Sequence, residues 1–280
     1  MAAVVADKSD MLLALCGATE QFSYCFRKVM LDYSTAKGRT PLTDTLMSLI
    51  RRVEANSSAL RVLVKVSLDI NSAPYYKLPI GLLLRSCLVD SILGLYLTTK
   101  DEATICGLLE DVERDYVRAL PDRFEVYTDR VGLSGMDESL LKHIYGLQIE
   151  DTFCNQIDWE HIKNDDNDKN MGFFSIKKGP KLTIKSVIDQ LKTTPAYVRL
   201  SKKLYAYYRE YSQYEHFSLY GHSDSLIPYD EDNTSMSKAF LYVCEAMHCI
   251  VSHVDSKLQL SLSVYSSHCC EKVLSDAHIE

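Results

Sequence analysis

An all-α fold is expected for this 280-residue chain on three observations. Gly and Pro are scarce, at 11 and 7 copies, which disfavours a turn-rich β architecture. Apolar residues recur at three- and four-residue spacing over long stretches. Residues 78–97, LPIGLLLRSCLVDSILGLYL, are apolar nearly all round, as the central helix of a bundle is. With 46% hydrophobic and 25% charged residues, the chain has ordinary globular composition and can bury a real core. The expectation is a single multi-helix bundle domain over 1–280, its core at about 9–256. A long polar excursion is expected near 150–181 and a fraying tail over 257–280.

The elements follow in order. Residues 9–36 place Leu12, Leu15, Phe22, Phe26, Val29 and Met30 on one stripe, and Gly38 lies just past the end. Pro41 opens the next helix at a favoured early position. That helix reaches about Asn71, with a break suggested at Asn56-Ser57-Ser58. Pro74 and Pro79 flank the start of the third helix, 79–98. Segments 101–119 and 137–148 read as amphipathic helices. Residues 150–181 are polar and weakly periodic. Helices resume at 183–192, 196 to about 220, and 234–256.

Nine Cys are scattered without a CxxC pair, several within apolar runs. This is the usage of reduced thiols in a cytoplasmic protein rather than a disulfide framework. The start, MAAVVADKSD, lacks a basic export region. Segment 78–97 is long enough to span a bilayer. It carries Arg85 and Asp90 near its middle, at ~2.5–3.5 kcal/mol each on insertion scales, so a buried core helix is expected and no membrane association.

Charge is unevenly placed. From Lys177 to Arg209 there are nine Lys or Arg against the single acid Asp189, a local +8 in a chain of net −7. The band comprises Lys177, Lys178, Lys181, Lys185, Lys192, Arg199, Lys202, Lys203 and Arg209, interleaved with Tyr197, Tyr205, Tyr207 and Tyr208. Cations with aromatic neighbours suit a phosphate backbone with unpaired bases, so RNA is the expected partner class. The plain alternative is a solvated helix face whose Lys stems cover apolar neighbours.

The stretch YYREYSQYEHFSLYGH, 207–222, carries the densest chemistry. On a continuous helix, one face would hold Tyr205, Arg209, Ser212 or Gln213, His216 and Tyr220. His216 suits general acid–base work, and Arg209 suits a developing phosphate charge. Ser212 and Tyr220 would orient substrate, with Tyr208, Arg85 and Asp90 supporting the site. Arg85 and Asp90 are five apart and poorly placed to pair with each other. Glu210 or Glu215 is expected to serve Arg85, and Arg209 or His216 to serve Asp90, in a polar cluster between two packed helices.

Arg209-Glu-Tyr-Ser-Gln-Tyr-Glu-His216 resembles the Arg-x4–6-His signature of the HEPN superfamily. That resemblance implies an all-helical, metal-independent ribonuclease of bacterial defence or stress, with Arg209 and His216 as the catalytic pair. It also implies a homodimer and an antitoxin or effector partner. Glu210 departs from the Asn, Asp or His usual after the Arg. The pattern over about 75–255 is also similar to a largely uncharacterised family of bacterial helical proteins, matched at Tyr208, Ser212 and His216. The rival expectations are a non-catalytic interaction module whose polar cluster is structural, and a small-molecule hydrolase using His216 and Glu215.

No cofactor or metal is expected. Walker-type, GxGxxG and GxSxG motifs are missing from the sequence. NDDNDKNMG (164–172) fails the calcium-loop positions, and Glu245-x-x-His248 occurs once where di-iron sites need two copies. His268-Cys269-Cys270 is a soft-ligand cluster on the tail expected to fray.

Overall fold

The computed structural model of the chain describes residues 8–69, 74–109, 123–124, 140–141, 144–148, 182–214 and 232–276. The fold is all-α, and no strand occurs among the described residues. The chain divides into two compact units, Met1–Glu102 with Ile184–Glu280, and Ala103–Thr183. The polar stretch 150–181 ends beside one border of this division, while helical periodicity runs through the other at position 103. In the second unit Ile105, Leu141 and Tyr145 are buried, and the Phe124 and Tyr145 rings lie 5.8 Å apart.

The first unit is built from α1 (Lys8–Ser34), α2 (Pro41–Asp69), α3 (Pro74–Leu97), α4 (Ile184–Leu191), α5 (Val198–Tyr211), α6 (Asp232–Leu258) and α7 (Ser263–Asp276). Helix α3 is central and packs on α2, α4, α5 and α6, while α1 packs on α2, α6 and α7. The span Tyr76–Leu97 has the length and hydropathy to cross a membrane, and 67% of its most apolar window is buried inside the fold. Close packing of α3 on α6 depends on Gly94. A Cβ there would lie 2.3 Å from Ile250 Cδ1, so a larger residue would force Ile250 aside.

Local chemistry sets the helix ends. Thr40 Oγ1 accepts from the Thr43 amide at 3.2 Å, and Thr43 Oγ1 accepts from the Thr40 amide at 2.9 Å. This reciprocal cap, with Pro41 at the first helical position, starts α2. Glu102 reinforces it, accepting from the Thr40 hydroxyl at 2.5 Å and the Leu42 amide at 3.2 Å. A carboxylate at a helix start also complements the helix dipole. Helix α2 is continuous through Asn56-Ser57-Ser58, because Ser57 is buried against α1 and bonds the Thr19 carbonyl at 3.3 Å.

The α6–α7 corner is similarly built. Gln259 and Ser261 adopt left-handed φ values of 54° and 57°. Asp255 receives the Leu260 amide at 2.9 Å, the Ser263 amide at 3.2 Å and the Ser263 hydroxyl at 2.6 Å. Burial pulls its carboxyl upward, but these hydrogen bonds, led by Ser263, outweigh it and hold Asp255 below the usual range. Residues 257–280, expected to fray, thus contain α7, which buries Ser266, Cys269 and Val273. Its packing rather than its weak periodicity holds it.

Helix α5 is shorter than expected. It ends at Tyr211 and tightens into a 3₁₀ turn, Ser212–Tyr214. The helical register that placed Arg209 and His216 on one face therefore changes at Ser212.

Candidate functional site

The expected packing of α3 against the Tyr-rich helix is present, and it brings some of the anticipated residues together. Arg85 on α3 donates from Nε to Ser212 Oγ at 3.3 Å. Its guanidinium carbon lies 5.5 Å from the Tyr208 ring centroid. Ser212 donates in turn to the Tyr208 carbonyl at 2.6 Å, which turns its hydroxyl oxygen toward Arg85. Tyr208 stacks on Tyr205, with centroids 5.9 Å apart, and Lys192 Nζ lies 6.0 Å from the Tyr205 ring. Arg85, Tyr208, Ser212 and Tyr205 are all half-buried.

Other expected pairings are replaced. Glu210 does not turn to Arg85. It accepts from Ser235 Oγ of α6 at 2.7 Å, because Glu210 lies on the α6 side of α5. Asp90 is not served by Arg209. Its partner is Arg52 of α2, with Nη2 3.2 Å from Oδ1. Arg209 is exposed on the outer face of α5. His216, Glu215 and Tyr220 lie outside the described residues, as do Lys177, Lys178 and Lys181.

Asp90 is the most costly group near the seam. Its side chain is 0% exposed, and neither carboxylate oxygen has a hydrogen-bond donor among the described residues. The Arg52 contact is an ion pair by distance, without an N–H directed at the oxygen. Burial pushes the Asp90 carboxyl up to about 6, and Arg52 only partly opposes it. One turn away, Asn56 Nδ2 donates to Ser86 Oγ at 3.0 Å. Arg52 and Asn56 on α2 thus face Asp90 and Ser86 on α3 as two polar rungs in an apolar seam. Sequence reasoning missed the α2 half of this ladder. The signal was a four-residue spacing repeated on both helices.

The basic band resolves into a helix face. Arg199, Lys202, Lys203 and Arg209 are exposed on α5, opposite the buried Leu200, Ser201, Leu204 and Tyr211. Lys185 and Lys192 are exposed on neighbouring α4 and just after it. Arg199 pairs with Glu245 of α6, and Lys192 pairs with Asp189 at 3.1 Å. Lys185, Lys202, Lys203 and Arg209 have no ion pair among the described residues.

Among the described residues, no group of three or more His, Cys, Asp or Glu is arranged to hold a metal ion. Glu245 is engaged by Arg199, and His248 Nδ1 lies 2.8 Å from Ser266 Oγ. Burial lowers the His248 imidazole below its ordinary range. The eight described cysteines are free thiols, and burial raises Cys25 to about 11. A raised thiol is a poor nucleophile, so the buried Cys25 reads as a packing group. No family model, curated protein or solved structure matches the chain.

Proposed function

We propose that the chain is a helical RNA-binding protein whose α5 outer face takes the phosphate backbone of a single strand. The observation that carries this reading is the face itself: Lys202, Lys203 and Arg209 stand exposed without carboxylate partners among the described residues, in a protein of net charge −7. Unneutralised cations on an acidic protein form a local polyanion footprint. The stacked Tyr205–Tyr208 pair beside them offers a ring face for an unpaired base. Arg209 belongs to both this face and the HEPN-like motif, so metal-free RNA cleavage with His216 is the finer form of the same proposal. A homodimer and an antitoxin or effector partner belong to that finer form too.

A non-catalytic reading is favoured for the Arg85–Ser212–Tyr208 group alone. Arg85 lies between two helices with its Nε bonded to Ser212, as a seam-fixing residue would.

The test is binding and cleavage of a labelled single-stranded RNA in EDTA across a salt series. The wild type should bind with a log–log salt slope of about −2 to −3, as three or four phosphate contacts give on a single strand. Lys202→Glu with Lys203→Glu should abolish binding without altering the melting temperature. Arg209→Ala and His216→Ala should stop cleavage in the finer form. Binding indifferent to salt and to the double charge reversal would end the RNA reading.

A further inference from the structure

Away from the α5 face, α1 and α2 enclose an open pocket of about 350 Å³. That is within the range of small-ligand sites. Its wall on α1 runs from Glu20 to Leu31 along one outward face, and Arg61 closes it from α2. Two large side chains stand exposed there, Tyr24 at 58% and Leu31 at 67%. They are seven residues apart, about 10 Å along the helix.

The cations of the pocket are held in place but keep free donors. Arg27 uses Nε on Glu54 at 2.9 Å and one terminal nitrogen on Ser58 at 3.3 Å, which leaves Nη1. Arg61 uses Nη1 on Glu20 at 3.3 Å, which leaves Nη2 and Nε. Lys28 Nζ lies over the Tyr24 ring at 4.7 Å and 5.7 Å from the Tyr265 ring of α7. An ammonium held by ring faces still has N–H donors for an oxyanion. Glu20 and Glu54 therefore orient the two guanidinium groups without satisfying them. Three cations against two carboxylates leave the pocket positive in an acidic chain.

We propose that this pocket binds a small phosphate monoester carrying a planar ring. Arg27, Lys28 and Arg61 would share the phosphate oxygens from different sides, as suits a tetrahedral dianion better than a flat carboxylate. Tyr24 and Leu31 would take the ring and its apolar edge. The pocket is lined by α1 and α2 and uses none of the α5 residues.

Isothermal titration with adenosine 5′-monophosphate tests this, with adenosine and inorganic phosphate as separate arms. The monophosphate should bind saturably below about 1 mM, with each fragment at least about tenfold weaker. Lys28→Gln with Arg61→Gln, both on the pocket rim, should weaken it about tenfold or more at an unchanged melting temperature. Tyr24→Ala should bring the monophosphate down to the affinity of phosphate alone. The Lys202→Glu, Lys203→Glu protein should bind it normally, which separates this pocket from the RNA-binding face. Lack of saturation by about 5 mM, or affinity that ignores both the charge and the ring variants, would overturn the proposal.

Discussion

Arg85 and Asp90 stand five residues apart on the same apolar helix, and the fold treats them in opposite ways. Arg85 is half-buried, with a long apolar stem in the seam and a head that meets a hydroxyl and a ring. Asp90 is completely buried, with one ion pair and no hydrogen bond among the described residues. A guanidinium can reach outward along its stem and offer five donors. A carboxylate on one methylene cannot reach out, so its partner must come to it. Arg52 does so from the surface, with 63% of its own side chain still exposed. Chain length and donor number decide which charge a core helix tolerates cheaply.

The sharpest way to test that contrast is pH. Asp90 holds its proton more readily in the folded chain, near pH 6, than in an unfolded one near 3.9. Its ionisation therefore weakens the fold above pH 6, and this weakening is relieved as pH falls from about 6 toward 4. The difference in stability between wild type and Asp90→Asn should change by up to about 3 kcal/mol between pH 8 and pH 4, read from urea unfolding. His248 and His253 act in the other sense. Burial lowers both, with Lys257 adding to the effect at His253. Their uncharged forms suit the fold, so their contribution is lost as pH falls through about 6.5. Comparison with Asp90→Asn removes that background. A flat difference would mean that Asp90 is hydrated and ionised in the ordinary way.

Removing the partner probes the same contrast from α2. Arg52→Gln should cost about 1–3 kcal/mol at pH 7.5 and much less at pH 5, where Asp90 carries its own proton. On the other side of the comparison, Arg85→Ala should cost about 1–2 kcal/mol with little pH dependence, as a hydrogen bond and a ring contact are lost together. Equal pH dependence in the Arg52 and Arg85 variants would erase the distinction between the two charges. The smallest effect belongs to Ser212→Ala, about 0.5–1 kcal/mol, because Arg85 keeps the Tyr208 ring. A double-mutant cycle of Arg85→Ala and Ser212→Ala should give a coupling of the same size.

The all-helical fold was legible because α1, α2 and α6 carry long apolar stripes and α3 is apolar on all sides. The pairing of α3 with the Tyr-rich helix was legible too, since Arg85 in an apolar run demands a partner. Which partner was not. Glu210 and Ser212 are two residues apart, and only the rotation of α5 about its axis sends one to α6 and the other to Arg85. The early end of α5 was hidden because Ser212, Gln213 and Tyr214 neither break nor favour a helix strongly. Helix α7 was hidden for a different reason. Its burial of Cys269 and Val273 depends on α1 and α6, far away in sequence. The α1–α2 pocket left no motif, being assembled from ordinary surface cations on two helices.

The division of the chain at 102 and 184 has a consequence for how this molecule can vary. Lys100 Nζ bonds Gln190 Oε1 at 3.0 Å, so the host bundle joins itself across the gap beside both junctions. Glu102, the last residue before the gap, is also the group that caps α2. Both borders are thus fixed by contacts within the first unit itself. For a flexible loop closed between two such fixed borders, each doubling of length costs only about 0.6 kcal/mol.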